Sequence, residues 1–177
     1  MMDFVGDILK AVPDDDSTYP EDKLFIYGLV RSLSPEVCVE VGTHRGQTAL
    51  FISQALRDNG HGHLITCDPI DWGQRDYIQG FHELAKLITC LSCSGDRLEA
   101  DKIDFLFIDG FHQKGNVLSE INHLFPKLSD HAVVLFHDSG GDVPESVGVN
   151  EAVEESGIKT ILLPTKGRMR IYSNFKL

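Results

Sequence analysis

Basic charge is what this 177-residue chain has least of: 16 Lys and Arg stand against 27 Asp and Glu, a formal net charge of −11. Binding a nucleic-acid backbone takes clustered cations, so the balance argues against a nucleic-acid partner. The one basic run, Lys166, Arg168 and Arg170, alternates like one side of a strand and reads as a solvated face. Long apolar runs are also missing. No segment reaches bilayer-spanning length, which argues against a membrane partner. Met1-Met2-Asp3 opens with neither a basic region nor an uninterrupted apolar stretch, so no secretory signal is read. A reducing, cytoplasmic setting is the expectation. Cysteine is scarce at four residues. Cys38, Cys67 and Cys90 fall in strand-like stretches, where free cysteine behaves as a small hydrophobe. Cys90 and Cys93 form a lone CxxC with no second pair, and on an extended strand they point to opposite faces, which speaks against a zinc or redox role.

What is present is the composition of a soluble globular protein, 42% hydrophobic and 24% charged. The length suits one domain over 1–177, with N-terminal helices over 1–34 and a core over 35–177. Phe4, Val5, Ile8 and Leu9 recur at helical spacing, and that amphipathic helix is a candidate homodimer contact. The Asp14-Asp15-Asp16 run after it reads as a solvated loop. Thr18, Pro20 and Glu21 carry helix-start signals, with Leu24, Tyr27, Val30 and Leu33 as the apolar face. Strands are expected at Val37–Val41, Leu64–Pro69, Leu87–Ser92, Ile103–Asp109 and Ala132–Phe136. Helices are expected over Thr48–Arg57, Tyr77–Lys86, Val117–Leu128 and Val149–Ser156. Thr160–Leu163 and Arg168–Tyr172 then form a hairpin turning at Lys166-Gly167. The alternation calls for an α/β fold, a Rossmann-like doubly wound sheet of seven strands, mostly parallel with a C-terminal antiparallel hairpin.

The organising stretch is Val37–Thr48: a buried strand, a turn bracketed by Gly42 and Gly46, and a helix start. In open α/β sheets ligands bind beyond the carboxyl ends of the strands. Four expected strands end in an acid there, Glu40, Asp68, Asp109 and Asp138, and Asp96 follows another. So many carboxylates repel one another unless cations or hydroxyl donors meet them, so the ligand should be polyhydroxylated, cationic or metal-bound. The glycine spacing is not the G-x-G-x-x-G that cradles a pyrophosphate. A cofactor without phosphate fits better, with a ribose for Asp68 and an ammonium near Glu40. S-adenosyl-L-methionine has that inventory.

The segments EVGTHRGQT, ITCDP, SCSGD, KIDFLFIDGFH and VVLFHD, in this order and spacing, resemble the class I S-adenosylmethionine-dependent methyltransferases. Within them the resemblance is to the small O-methyltransferases that include sugar- and antibiotic-tailoring enzymes and are akin to the catechol type. It implies that Glu40, Gly42 and Gly46 surround the methionine end, with Thr43, Gln47 and Thr48 lining the turn. It implies that Asp68, with Pro69, holds the ribose hydroxyls, that Ser94, Gly95 and Asp96 cap the adenine, and that Asp109 faces the transfer centre. In metal-dependent relatives carboxylates matching Asp109 and Asp138 bind Mg²⁺, and a histidine matching His112 is the base toward a hydroxylated small-molecule acceptor, such as a sugar. The chain departs from the catechol type at Ser139, where a further amide or acid ligand stands, so metal-assisted and metal-free transfer both stay open. His137 reads as structural, and Trp72 as an adenine cover or a pocket wall. Other readings are a cofactor-binding methyltransferase-like protein without turnover, a nicotinamide-dependent oxidoreductase, and a metal-dependent hydroxylase using His112, Asp109 and Asp138.

Overall fold

The computed structural model describes residues 18–70, 72, 100–141 and 144–175, and the backbone of 85–89. Helix α1 (Pro20–Leu33) opens with Pro20 in its first turn, where the missing N–H costs nothing, and closes on Ser34 in the left-handed conformation. Strand β1 (Val37–Val41) follows, then α2 (Gln47–Asn59), β2 (His63–Asp68), β3 (Ala85–Thr89) and β4 (Ile103–Ile108). After these come α3 (Lys114–Leu124), a single 3₁₀ turn at Phe125–Lys127, β5 (Leu128–Phe136), α4 (Pro144–Ser156), β6 (Ile161–Leu162) and β7 (Arg170–Ser173). The strands join in one seven-stranded sheet of order β3-β2-β1-β4-β5-β7-β6. The first five in that order run parallel, and β7 pairs antiparallel with both β5 and β6.

The period-two alternation of the strands divides the core into two layers. Val39, Val41, Ile65, Leu106, Ile108, Val134 and Phe136 pack on one face against Val117, Ile121 and Leu124 of α3 and Val149, Ala152 and Val153 of α4. Cys38, Leu64, Phe105, Phe107, Val133 and Leu135 pack on the other against Ile26 and Val30 of α1 and Ala49, Ile52, Ala55 and Leu56 of α2. Because both faces are covered, the strands are near-continuous apolar runs. The chain winds outward from β1 through β2 to β3, then returns to place β4 on β1's other side. That reversal opens a crevice between the ends of β1 and β4.

Several boundaries differ from the sequence expectation. Ala85 and Lys86, expected to end a helix, are strand residues paired with Leu64 and Ile65. Strand β5 begins at Leu128, before its apolar run: Ser129–His131 are half-buried or exposed, and pairing of Leu128 with Ile103 across a register shift sets its start. The helix expected over Val117–Leu128 starts earlier and stops at Leu124, giving way to the Pro126-containing 3₁₀ turn. Helix α4 starts at Pro144 instead of Val149. Helix α1 is rotated from its expected face. It buries Asp22, Lys23, Ile26 and Val30 and leaves Leu24 41% exposed, because two polar anchors govern it: Asp22 accepts backbone N–H groups from Lys166 and Gly167, and Lys23 Nζ donates to Gln47 Oε1. The basic run is a brace as well as a surface. Arg168 Nη1 donates to the Gly140 carbonyl, and Arg170 Nε to the Ser139 carbonyl and Asn150 Oδ1. The hairpin turn at Lys166-Gly167 is present. The helix expected near Phe4–Leu9, the Asp14–Asp16 loop and the Cys90/Cys93 pair lie outside the described residues. Among those described, no helix is long and apolar enough to cross a membrane.

Candidate active site

The crevice at the strand ends holds an open cleft of about 240 Å³. Its floor is the β1–α2 turn. Gly42 sits at φ +94°, and a Cβ there would lie 2.0 Å from the Asp109 carbonyl oxygen, so only glycine lets β1 and β4 run out side by side. The Gly42 and Thr43 N–H groups both donate to the Cys67 carbonyl, at 2.9 and 3.2 Å. Gly46, at φ +84°, caps α2 and accepts from Leu50 N–H.

Thr43, Gln47 and Thr48 line the cleft, as do Gly42, Asp68 and Pro69. Glu40 does not. It is wholly buried in β1 beneath the turn, opposite Thr66 of β2. The Thr66 hydroxyl donates to Glu40 Oε2 and lies 2.6 Å from the Thr43 hydroxyl. Among the described residues, Glu40 Oε1 has no hydrogen-bond partner. Burial pushes the Glu40 pKa up to about 8 despite the Thr66 bond, with the Asp109 and Asp68 charges adding to the rise. Such a carboxyl accepts a proton or a cation readily.

Asp68 ends β2 with its carboxylate fixed by two backbone donors, His44 N–H to Oδ2 and Ile70 N–H to Oδ1, both at 2.8 Å. His44 reaches that bond from φ +46°, uncommon for a side chain with a Cβ. Its ring meets Trp72 edge to face at 4.8 Å. Ile70 and Trp72, each 44% exposed, form an apolar wall beside the carboxylate. Ser94, Gly95 and Asp96 lie outside the described residues.

The opposite wall is an ionic cluster. Asp109 follows β4, and Asp138 follows β5 at φ +47°. His112 Nε2 faces both, 3.4 Å from Asp109 Oδ1 and 3.5 Å from Asp138 Oδ2. From below, the 2%-exposed His137 places Nδ1 3.2 Å from Asp109 Oδ1 and 3.3 Å from Asp138 Oδ2, and Nε2 3.7 Å from Asp22 Oδ2. Donor atoms of Asp109, His137 and Asp138 all lie within 4.8 Å of one another. Burial would depress His137, but Asp109, Asp138 and Asp22 outweigh it and push its pKa up to about 12. Burial likewise works against the Asp109 carboxylate, and the charges and contacts of His137 and His112 still hold its pKa below the usual range. Contact with Asp109 raises His112 above an ordinary imidazole against the opposing effect of burial.

The expected residues Asp68, Asp109, His112 and Asp138 thus share one cleft, with Glu40 and Gly46 supporting the turn from outside it. Sequence reasoning missed Asp22, Thr66 and Gly167. Asp22 looks like any first-turn helix acid, and Thr66 like any strand threonine. Nothing local marks either.

A family model described as a methyltransferase domain matches residues 39–139. A Sinorhizobium fredii protein described as uncharacterized protein y4gI is 31% identical over 129 residues, a match taking in 63% of this chain and 14% of that protein. The chain therefore spans only a small part of that relative's length. Among solved structures, the S-adenosylhomocysteine-bound methyltransferase PaMTH1 of Podospora anserina has a TM-score of 0.73 at 15% identity, covering 100% of this chain and 89% of that one. An O-methyltransferase of Bacillus cereus, solved with S-adenosylhomocysteine, has a TM-score of 0.72 at 16% identity, covering 96% and 90%. The O-methyltransferase TomG of Streptomyces achromogenes, solved with S-adenosylmethionine, has a TM-score of 0.67 at 20% identity, covering 98% and 90%. These likenesses are of fold. The matched stretch runs from Val39 in β1 to Ser139 just past β5 and so takes in the described rim from Gly42 to Asp138: the chain belongs to the methyltransferase-domain family.

Proposed function

We propose that the chain is an S-adenosylmethionine-dependent O-methyltransferase acting on a small hydroxylated acceptor such as a sugar, with a divalent ion assisting. The observation that carries this reading is the division of one cleft into two unlike walls. One wall has a locked carboxylate beside apolar surface, over a buried carboxyl with an unpartnered oxygen. The other has an imidazole between two acids.

The first wall fits the cofactor. Asp68 keeps lone pairs for the ribose hydroxyls after its two backbone bonds, since a carboxylate accepts about four. Ile70 and Trp72 offer an apolar face to a purine. Glu40, protonated while the site is empty, ionises as an ammonium approaches the turn above it, because a neighbouring cation lowers its raised pKa, and so gives that ammonium a counter-charge. When bound, S-adenosylmethionine supplies a methyl group on a sulfonium, open to in-line attack by oxygen. The chain's task is then orientation and proton removal. His112 stands on the open side of the cluster, placed to take the proton of an acceptor hydroxyl. Asp109 and Asp138 fix its ring and stabilise the imidazolium that results. The same two acids fit a divalent cation, which when bound lowers the pKa of a hydroxyl beside it.

The test is thermal unfolding with S-adenosylhomocysteine and with NAD, followed by methyl transfer to a panel of hydroxylated acceptors. The homocysteine product at 100 times its dissociation constant should stabilise the fold by about 2.7 kcal/mol. A shift with NAD alone would overturn the reading in favour of an oxidoreductase. Product binding without transfer to any acceptor would leave a cofactor-binding protein.

A further inference from the structure

Helix α1 buries a lysine and exposes the leucine beside it: Lys23 is 1% exposed and Leu24 41%. Apolar burial alone would reverse that choice. Lys23 Nζ donates to Gln47 Oε1, and Gln47, 6% exposed, lines the cleft. An ammonium has donors only, so it fixes the amide with its oxygen toward α1 and its NH₂ turned the other way. Gln47 is also the first residue of α2, a helix of 13 residues with no acid in its first turn. The positive end of the helix dipole therefore adds to the lysine's charge.

The lining of the cleft has the opposite character. Among its described residues are three carboxylates, Asp68, Asp109 and Asp138, and no Lys or Arg. The imidazoles of His112 and His137 are held against the acids of the far wall. A ligand whose amino-acid end carries an ammonium and a carboxylate is attracted to such a lining by one half and repelled by the other. Its ammonium suits the turn over Glu40. Its carboxylate needs a donor backed by a cation, and the Lys23–Gln47 pair is an arrangement of that kind.

We propose that Gln47, with Lys23 as its positioning residue, anchors the carboxylate of the cofactor's amino-acid end. The inference rests on the methyltransferase reading and deepens it: Asp68 selects a ribose, whereas this pair selects a nucleoside that bears an amino acid. Lys23 does two things there. It keeps the amide from flipping, so that the NH₂ and not the oxygen meets the carboxylate. It also puts a positive charge behind that bond, where the low dielectric of the interior strengthens its pull.

The experiment is calorimetry on the full chain with two ligands, S-adenosylhomocysteine and its decarboxylated form, which keeps the ammonium and the thioether. Wild type should bind the first about 10- to 100-fold more tightly, the range of a hydrogen bond to a charged group. Lys23→Met, which keeps the reach of the side chain without its charge, should weaken S-adenosylhomocysteine binding by about that factor. It should not weaken the decarboxylated form, whereas a merely structural role for Lys23 would weaken both alike. Should Lys23→Met not fold, Gln47→Glu takes its place: it fills the same space, keeps a partner for Lys23 and sets one carboxylate against another. The same split is expected of it. Equal binding of the two ligands by wild type, equal weakening of both in the variant, or undiminished S-adenosylhomocysteine affinity in the variant would each overturn the anchor. In all three cases the wild type still binds S-adenosylhomocysteine, so the methyltransferase reading stands and the anchor alone falls. Wild type that binds neither ligand removes the reading, and the anchor with it.

Discussion

The two walls of the cleft are built in opposite ways. The Asp68 wall is local: one glycine turn and one strand end, tied by backbone N–H groups. The wall of Asp109, His112, His137 and Asp138 gathers side chains from the ends of β4 and β5 and is seated from below by α1 and the β6–β7 hairpin. The first can be perturbed one contact at a time. The second stands or falls as a unit, because each charge in it is compensated by others. Buried charges are tolerable only while paired, and removing one partner strands the rest.

The sharpest test of that contrast is His137→Ala. It strips Asp22 of its buried imidazole partner and leaves Asp109 and Asp138 with His112 alone, and it should cost about 3–5 kcal/mol of stability, read as a fall in the midpoint of urea unfolding. A loss under about 1 kcal/mol would mean that the acids relax apart and the wall is no unit. Next comes His112→Ala, on the exposed side of the same cluster. It should lower the transfer rate by about 10²- to 10⁴-fold while leaving S-adenosylhomocysteine affinity unchanged. Equal losses in rate and affinity would show that the two walls are not separable.

On the local side, Asp68→Ala should weaken S-adenosylhomocysteine binding by about 10- to 100-fold, the value of one or two hydrogen bonds to a charged group. Its effect on stability should be slight, and calorimetry of binding checks the first point. The effect of Glu40→Gln lies in pH dependence. The folded-state pKa of Glu40 is raised from 4.5 to about 8, so its protonation favours the fold fully below about pH 4.5. That contribution fades as pH rises and is gone above about 8. The stability of the ligand-free wild type relative to Glu40→Gln should therefore decline between pH 5 and pH 8. A difference that stays flat across that window would show Glu40 to be ionised throughout.

The same contrast explains what could be read from the sequence. The parallel strands were legible because burial on both faces writes them as apolar runs, and the glycine turn because Gly42 and Gly46 answer to backbone geometry. Asp68, Asp109 and Asp138 were legible as acids at strand ends. His137 reads in the sequence as merely structural, since its charged surroundings come from residues far away in the chain. The rotation of α1 was hidden for the same reason. Leu24 has the apolar character of a core residue and Asp22 that of a surface one, and contacts with Lys166, Gly167 and Gln47 reverse their places. Boundary errors at β5 and α3 have a different cause: strand pairing and the Pro126 turn, not apolar periodicity, set those ends.

Asp22 meets Gly167 across 145 positions of sequence. A closure that long is slow to find during folding and cannot occur on a ribosome until the hairpin itself has emerged. The early part of the chain could assemble the glycine turn and Asp68 well before then, but His137 would lack its seat. Activity should thus be acquired only after the hairpin has emerged, later than the sheet's parallel strands. A chain cut before the hairpin should lose it even where the parallel strands still form.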